Sequence, residues 1–344
     1  MKTISALVLA TAASALTACG GDGGNDPSRP IDPAPLRITS SNQNTVARAA
    51  LSSGFAVART STISAADRAS AQSAGRAGVG SAAGALDSAV RAALTPWLAQ
   101  RRTVQSVGAH PAGAVAAPAE ACANGGTRSA TFDDRDNNAA TSAGDIVTVS
   151  FAACSFNQVV LDGTMVVTVT AASSGSSLSG AMQFQQVKVT SGSMKTTIAG
   201  TADVTETDDG SHTDTAIVVS AAGLSIAVSS PSYSDTIALA NTFTIDTSAD
   251  DSGEGATVRI DGTFSSSSLP TLDGSLHVDT VAPLALSAAS AYPSSGQVRV
   301  TDDFGAVLLL TVTDATKVAL QLDADGNDTF EADTSVAWSA LLPH

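Results

Sequence analysis

The feature that most constrains the fold is a period-two alternation of apolar and polar residues, which recurs from about residue 127 to the C-terminus. Val147, Val149 and Phe151 alternate with Thr148 and Ser150, and similar short runs follow along the chain. Successive side chains of a β-strand point to opposite faces, so each run predicts a strand with one apolar and one polar face. The pattern does not fit a helix, whose period is 3.6 residues.

Turn-forming residues separate these runs in the predicted β domain, residues 121–344. Asp-Gly pairs at residues 162–163, 209–210, 261–262 and 273–274 are typical of hairpin turns and predict antiparallel pairing of consecutive strands. Roughly ten to fourteen strands are expected, and an open sheet of that size rarely stays flat. The sequence therefore predicts a mainly β fold: a long antiparallel meander curled into a half-barrel, a barrel or a sandwich.

The chain before this domain divides into three parts. Residues 1–18 have a charged start and a short apolar run, which is the layout of a signal peptide. Residues 19–37 are rich in Gly, Asp and Pro and predict a flexible tether. Residues 38–120 are Ala-rich, and helices are expected at residues 42–51 and 81–100, where they could cover the apolar face of the sheet.

The end of the signal sequence reads Leu16-Thr17-Ala18-Cys19, followed by Gly20. This tetrapeptide resembles the lipobox of bacterial lipoproteins, in which small residues precede an obligatory cysteine. The resemblance implies cleavage before Cys19 and fatty acylation of that cysteine, palmitate included, and two or more acyl chains anchor a protein stably. Gly20, rather than Asp, implies the outer membrane, with the body on its periplasmic face or at the cell surface. The alternative is an ordinary secretory signal with a chance cysteine.

Two cysteines, Cys122 and Cys154, remain once Cys19 is set aside. An exported chain folds in an oxidising compartment, so a disulfide bond between them is expected; the alternative is two buried free thiols. The bond would close a loop of about 33 residues and stabilise the fold by roughly 3.5 kcal/mol. Neither cysteine belongs to a Cys-x-x-Cys pair, so a redox or zinc role has little support.

Two acidic loops are the best candidates for a binding site. The first carries oxygen side chains at positions 1, 3, 5, 9 and 12: Asp134, Asp136, Asn138, Ser142 and Asp145. This spacing resembles the calcium loops of EF-hand and dockerin-type sites, where oxygen ligands surround Ca²⁺. It departs from that pattern at position 6, where Ala139 replaces Gly, at position 12, where Asp is shorter than Glu, and in its flanks, which read as strands.

The second acidic loop carries oxygen side chains at positions 1, 3, 5, 7 and 9: Asp323, Asp325, Asn327, Thr329 and Glu331. If either loop binds calcium, its role is expected to be structural and not catalytic. The alternative for both loops is a plain acidic turn, because Asp, Asn and Gly are common turn residues. No other cofactor is expected.

The net charge of −15 and the pI of about 4.4 argue against nucleic acid as a partner, since binding to nucleic acid needs a basic surface. The sequence has no Gly-x-Ser-x-Gly elbow, no phosphate-binding glycine loop and no paired zinc ligands. The only partner that it indicates is a membrane, reached through the lipid anchor.

The segment from Cys122 to Gly163 resembles a group of β-rich proteobacterial lipoproteins with no assigned activity, and this resemblance implies a fold but no chemistry. We therefore expect a non-enzymatic, membrane-anchored module with a binding or structural role. The first alternative is a carrier that holds a lipid or another hydrophobic ligand in the cavity of a curled sheet. The second is a hydrolase that uses a pair of carboxylates, although aromatic residues for sugar binding are scarce.

Overall fold

The structure is a computed structural model that describes residues 37–53 and 113–342, without residues 117–118, 123, 139–141, 157–158, 173–176, 210, 232, 251–254, 270–274 and 288–291. The signal peptide, Cys19 and the helix expected at residues 81–100 lie outside the described residues. The helix expected at residues 42–51 is confirmed, because residues 43–53 are helical. We call this helix α1.

Sixteen strands form one antiparallel sheet within the described residues, and most neighbours in the sheet are also neighbours in the chain. The predicted antiparallel meander is therefore confirmed. The strands are β1 (Gly113–Ala116), β2 (Glu120–Ala121), β3 (Thr127–Asp134), β4 (Ile146–Phe156), β5 (Val159–Ala172), β6 (Ser177–Ser191), β7 (Met194–Asp208), β8 (His212–Ser230), β9 (Tyr233–Leu239), β10 (Thr244–Asp250), β11 (Gly255–Ser266), β12 (Leu276–Ser287), β13 (Ser295–Asp302), β14 (Val307–Asp314), β15 (Lys317–Asp323) and β16 (Ala332–Ala337). A four-residue helix, α2 (Trp338–Leu341), follows β16.

Two local features modify the meander. Strand β2 pairs only with the start of β3, beside the main path of the sheet. Strands β9 and β10 share one position between β8 and β11, and the break between them spans residues 240–243. The sheet also begins at Gly113, before the expected start of the β domain at residue 121. Because β1 contains only Gly, Ala and Val, it lacks the apolar and polar alternation by which a strand is recognised.

Two of the four Asp-Gly pairs are not turns, and this part of the prediction is wrong. Asp162-Gly163 lies inside β5 and Asp261-Gly262 lies inside β11. The pairing register shifts at Gly163, whose φ is +111°, and a Cβ there would lie 2.8 Å from the Gln186 carbonyl oxygen. Gly163 therefore forms a β-bulge that a side chain would obstruct. The turn expected at Asp209 is confirmed, since that residue lies between β7 and β8.

One face of the sheet is buried, as the alternation predicts. In β11, for example, Val258 and Ile260 are buried and Arg259 between them is exposed. The buried apolar side chains of β4–β15 belong to one contiguous core with α1 and α2, built mostly from Val, Leu, Ile and Ala. This composition follows from a chain in which aromatic residues make up only 4%.

Helix α1 is part of this core. Its apolar side chains are at most 1% exposed: Val46, Ala47, Ala49, Ala50 and Leu51. A helix that is apolar around most of its circumference is one that the fold encloses. Among the described residues, no helix is both long and apolar enough to cross a membrane.

The contacts of Arg48 on α1 indicate that the sheet curls. Its guanidinium donates to the carbonyl oxygens of Ala340 (2.7 Å) and Leu341 (3.1 Å) in α2 and lies 5.1 Å from the ring centroid of Tyr233 on β9. Six strand spacings separate β9 from β16, or about 29 Å on a flat sheet. Because one side chain contacts both places, the sheet must curve to bring them together.

Candidate metal-binding loops and a buried carboxylate cluster

The first acidic loop connects β3 and β4, so its flanks are strands as expected. One carboxylate oxygen from each of Asp134, Asp136 and Asp145 lies within 4.8 Å of the other two. Asp134 and Asp145 are buried, whereas Asp136 is exposed. The loop thus brings its three predicted carboxylates together.

Asp145 organises this loop by accepting hydrogen bonds at both oxygens. The Arg135 N–H donates to Oδ1 at 3.0 Å and the Ser142 N–H donates to Oδ2 at 2.7 Å. The Ser142 hydroxyl donates to Asp136 Oδ2 at 2.8 Å and also lies 3.3 Å from Asp145 Oδ2. The hydroxyl bond from Ser142, followed by bonds from Asn138, lowers the pKa of Asp136 and favours its ionised form.

Asn138 is hydrogen-bonded to Asp136 through two N–H groups. Its amide nitrogen donates to Asp136 Oδ2 at 2.7 Å, and its backbone N–H donates to Asp136 Oδ1 at 3.1 Å. In this orientation Asn138 holds a carboxylate and presents a donor to it, so it is a positioning residue for Asp136. Ser142 remains beside the carboxylates with a hydroxyl oxygen that can serve as a ligand.

The second acidic loop connects β15 and β16, and it brings together Asp323, Asp325 and Glu331 within the same 4.8 Å limit. Buried Asp323 accepts three backbone N–H bonds: Gly326 (2.7 Å) and Asn327 (3.1 Å) at Oδ1, and Asp328 (2.8 Å) at Oδ2. Burial alone would raise the pKa of Asp323, but these bonds outweigh it and lower the pKa.

The other predicted residues of the second loop make hydrogen bonds that shape it. Glu331 accepts the Ala324 N–H at 2.8 Å, which returns the end of the loop to its start. The Asn327 amide nitrogen donates to Asp325 at 3.0 Å, while its oxygen accepts the Thr329 N–H at 2.8 Å. Asn327 and Thr329, both predicted ligands, are joined to each other within the turn, on the loop that carries the three carboxylates.

The arrangement of each loop suits a hard divalent cation. Three carboxylate oxygens within 4.8 Å repel one another, and a cation between them would relieve that repulsion. Oxygen donors of this kind are the ligands that Ca²⁺ takes in proteins. In an antiparallel meander, successive connections alternate between the two ends of the strands, so the two loops lie at opposite strand ends and would form two separate sites.

The predicted disulfide between Cys122 and Cys154 is present, with their Cα atoms 5.4 Å apart. It joins the segment before β3 to the bulge of β4, where the register shifts between Phe151 and Cys154. Gly126 lies against this bulge with φ of +74°, and a Cβ at that position would collide with the Ala153 carbonyl. The alternative of two free thiols is thus wrong.

A third cluster, which no sequence pattern predicts, surrounds Asp235 on β9. This buried carboxylate accepts hydrogen bonds from Tyr233 OH (2.7 Å) and from the hydroxyls of Ser266 (2.7 Å), Ser267 (3.0 Å) and Ser268 (3.0 Å). The Ser268 N–H donates to it at 3.0 Å. Five donors converge on one side chain, so Asp235 fixes the turn that follows β11.

The electrostatics of this cluster favour an ionised carboxylate and a neutral phenol. Burial alone would raise the pKa of Asp235, but the hydrogen bonds from Ser266, Tyr233 and Ser268 outweigh burial and lower it. Burial, together with the bond to Asp235, raises the pKa of Tyr233 well above its usual value. All these groups are engaged in holding the turn, which is the geometry of a structural network.

Comparison with protein-family models, with curated proteins and with solved structures found no match for this chain. The case for a function therefore rests on the residues themselves: the N-terminal sequence, the cysteine pair, the acidic loops and the buried face of the sheet.

Proposed function

We propose that this chain is an exported lipoprotein, acylated at Cys19 and held at the outer membrane, whose β domain is a non-enzymatic structural or binding module. The observation that carries the proposal is the lipobox Leu16-Thr17-Ala18-Cys19 directly after an apolar signal segment. The disulfide between Cys122 and Cys154 supports export, because such bonds persist in oxidising compartments.

A role without catalysis is favoured by what the buried carboxylates do. Asp235 and Asp323 accept hydrogen bonds that shape turns, and Asp302 does the same for the β13–β14 connection. A hydrolase with a carboxylate pair is a weaker alternative. Glycosidases place their two carboxyl groups on either side of the scissile bond, whereas the converging carboxylates of each acidic loop belong to one connection between adjacent strands.

A carrier for a lipid or another hydrophobic ligand is the other alternative. Its cavity would leave lining side chains accessible to a water-sized sphere. The buried face argues for a filled interior instead, because core residues such as Ile198, Ile217, Val298 and Leu308 are 0% exposed. Native mass spectrometry of the protein extracted from membranes separates the two cases: co-purified lipid would favour the carrier, and apo protein alone would favour the module.

The lipoprotein proposal is tested by expressing the full chain and its Cys19→Ser variant in a Gram-negative host and fractionating the cells. The wild-type chain is expected in the outer-membrane fraction, resistant to salt and released by detergent. Its mature N-terminus should be Cys19 carrying acyl chains, as measured by mass spectrometry. Cys19→Ser is expected to leave that fraction. A wild-type chain without acyl mass at Cys19 would overturn the proposal.

As part of this structural role, we propose that the two acidic loops bind calcium. The convergence of Asp134, Asp136 and Asp145 supports the first site, with Ser142 beside them. The convergence of Asp323, Asp325 and Glu331 supports the second. Each ion would brace a connection between two strands, and its effect on stability is a separate measurement from anchoring.

A further inference from the structure

The first described residues are fixed to one end of the strands. The Ile38 N–H donates to Oδ2 of buried Asp302 at 2.8 Å, directly before the β13–β14 turn. Asp302 Oδ1 accepts the N–H groups of Phe304 and Ala306 in the same turn, both at 2.9 Å. We call the strand ends that hold the β13–β14 and β15–β16 connections the Asp302 end.

Two exposed aromatic side chains lie on adjacent connections at this end. Phe304 is 42% exposed and Phe330 is 41% exposed. Their connections touch, because Gly326 packs so closely that a Cβ on it would lie 2.7 Å from the Gly305 carbonyl oxygen. Only two other large apolar side chains among the described residues are exposed, Val218 (37%) and Val281 (49%), and both lie within strands.

A cation lies at the same place. The Arg37 guanidinium carbon is 5.1 Å from the centroid of the Phe304 ring. Arg37 and Phe304 are thus paired, and Phe330 lies on the connection that touches that of Phe304. We call these three exposed residues at the same strand ends, two apolar rings and a guanidinium, the Phe304 patch. Aromatic rings with an adjacent cation suit the boundary between lipid acyl chains and phosphate headgroups.

The position of the patch identifies its occupant. The chain that precedes Arg37 reaches Cys19 within eighteen residues, a span of at most about 60 Å when fully extended. Because the chain enters the domain at the Asp302 end, this end is the part of the domain nearest along the chain to Cys19, the proposed site of acylation.

From this placement we infer that the Phe304 patch is a lipid-binding surface, which inserts Phe304 and Phe330 into the membrane beside the anchor and orients the β domain. The inference rests on the proposed lipoprotein function. The exposed acidic side chains of the two connections, Asp303, Asp325, Asp328 and Glu331, would be repelled by anionic headgroups. The patch is therefore a surface for zwitterionic lipid.

The test places a fluorophore on the patch of the full, lipidated chain. Phe304→Trp and Phe330→Trp are reconstituted into phosphatidylcholine–phosphatidylethanolamine vesicles containing brominated lipid, and the emission of the unsubstituted chain is subtracted. Val281→Trp, on an exposed strand position, is the control. Emission from positions 304 and 330 is expected to shift to the blue and to be quenched, and the quenching should weaken when phosphatidylglycerol replaces part of the lipid. Emission from position 281 should neither shift to the blue nor be quenched.

Two failures of this test are distinguishable. If the wild-type chain does not sediment with vesicles, or sediments equally well as Cys19→Ser, anchoring by Cys19 is wrong and the orienting surface falls with it. If the chain is anchored but positions 304 and 330 are quenched no more than position 281, the anchor stands and the lipid-binding surface is overturned.

Discussion

Tyr233 and Asp235 lie two residues apart on β9 and are joined by a hydrogen bond of 2.7 Å from the phenol to the buried carboxylate. Tyr233 also makes a cation–π contact, since the Arg48 guanidinium carbon lies 5.1 Å from the centroid of its ring. One short segment thus links helix α1, strand β9 and the serine turn after β11. Breaking the contacts of this segment should therefore lower the stability of the whole fold and not only that of one loop.

Replacing Asp235 by Asn keeps its size but removes the ionised acceptor of five donors. We expect the Asp235→Asn substitution to lower the free energy of unfolding at pH 7 by about 2–3 kcal/mol, because hydrogen bonds to a charged group contribute about that much. Urea denaturation measures it. The control is Asp214→Asn on β8, an exposed position, which should change stability by less than about 0.5 kcal/mol.

The contribution of Asp235 to the free energy of unfolding should depend on pH. Its pKa in the folded state is lower than its usual value, so ionisation of Asp235 stabilises the fold above about pH 4 and this contribution is lost as the pH falls toward the folded-state pKa. The difference in stability between wild type and Asp235→Asn should shrink below about pH 4. A difference that stays constant down to pH 2.5 would show that the charge is not responsible.

Substitution of Asp302 should lower the unfolding free energy about as much as substitution of Asp235, for a different reason. Its carboxylate accepts three backbone N–H groups, from Ile38, Phe304 and Ala306. Asp302→Ala leaves them without this acceptor at a buried position, and we expect a loss of about 2–4 kcal/mol in unfolding free energy. The neighbouring exposed residue, Asp303→Ala, is the matched control. Equal losses for both variants would contradict a specific role for Asp302.

The disulfide gives a prediction with its own internal control. Cys122→Ser and Cys154→Ser should each destabilise the domain by about 3.5 kcal/mol, and the double variant by no more, because all three open the same loop. Urea denaturation of the wild-type chain under a reductant should reproduce that loss. A large difference between the two single variants would show that one cysteine has a further role.

Calcium should stabilise the chain if either acidic loop binds it. At a free concentration one hundred times the dissociation constant, one site adds about 2.7 kcal/mol to the unfolding free energy. Chelator should therefore lower the Tm, and added calcium should restore it. Asp136→Asn combined with Asp325→Asn, two exposed positions, should abolish the response. A Tm that is unaffected by both chelator and calcium would contradict the calcium proposal.

The alternation of apolar and polar residues was enough to predict the meander and its one-sided core, and the Ala-rich segment before it predicted the helix at residues 42–51. Curvature was predictable only in general terms, since it arises from contacts such as that of Arg48 with Tyr233, which join residues 185 positions apart. Cysteine parity predicted the disulfide correctly. In the acidic loops, the spacing identified the carboxylates that converge, but the orientation of Asn138 depends on a neighbour that the spacing cannot specify.

The cluster around Asp235 could not be predicted, because its donors come from a serine run 31 to 33 residues further along the chain. Ser265–Ser268 is by itself an ordinary polar stretch. The pairing of β9 with the end of β11, where Ile237 lies opposite Ser266, brings the serines to the carboxylate. Such a network exists only once the register of the sheet is known.

The Asp-Gly pairs likewise show that a bulge cannot be told from a turn until the register of the sheet is known. They give the last prediction. Gly163→Ala places a Cβ 2.8 Å from the Gln186 carbonyl oxygen and 2.9 Å from the Val187 Cα, at a φ of +111°. Gly144→Ala, in the first acidic loop, has a similar φ of +100° but nothing within 4 Å of its Cβ. Gly144→Ala should therefore cost only the backbone strain, about 1–2 kcal/mol. Gly163→Ala should cost about 1–3 kcal/mol more, because the strands must move apart. Equal unfolding free energies for the two variants would show that the bulge yields to a side chain without cost.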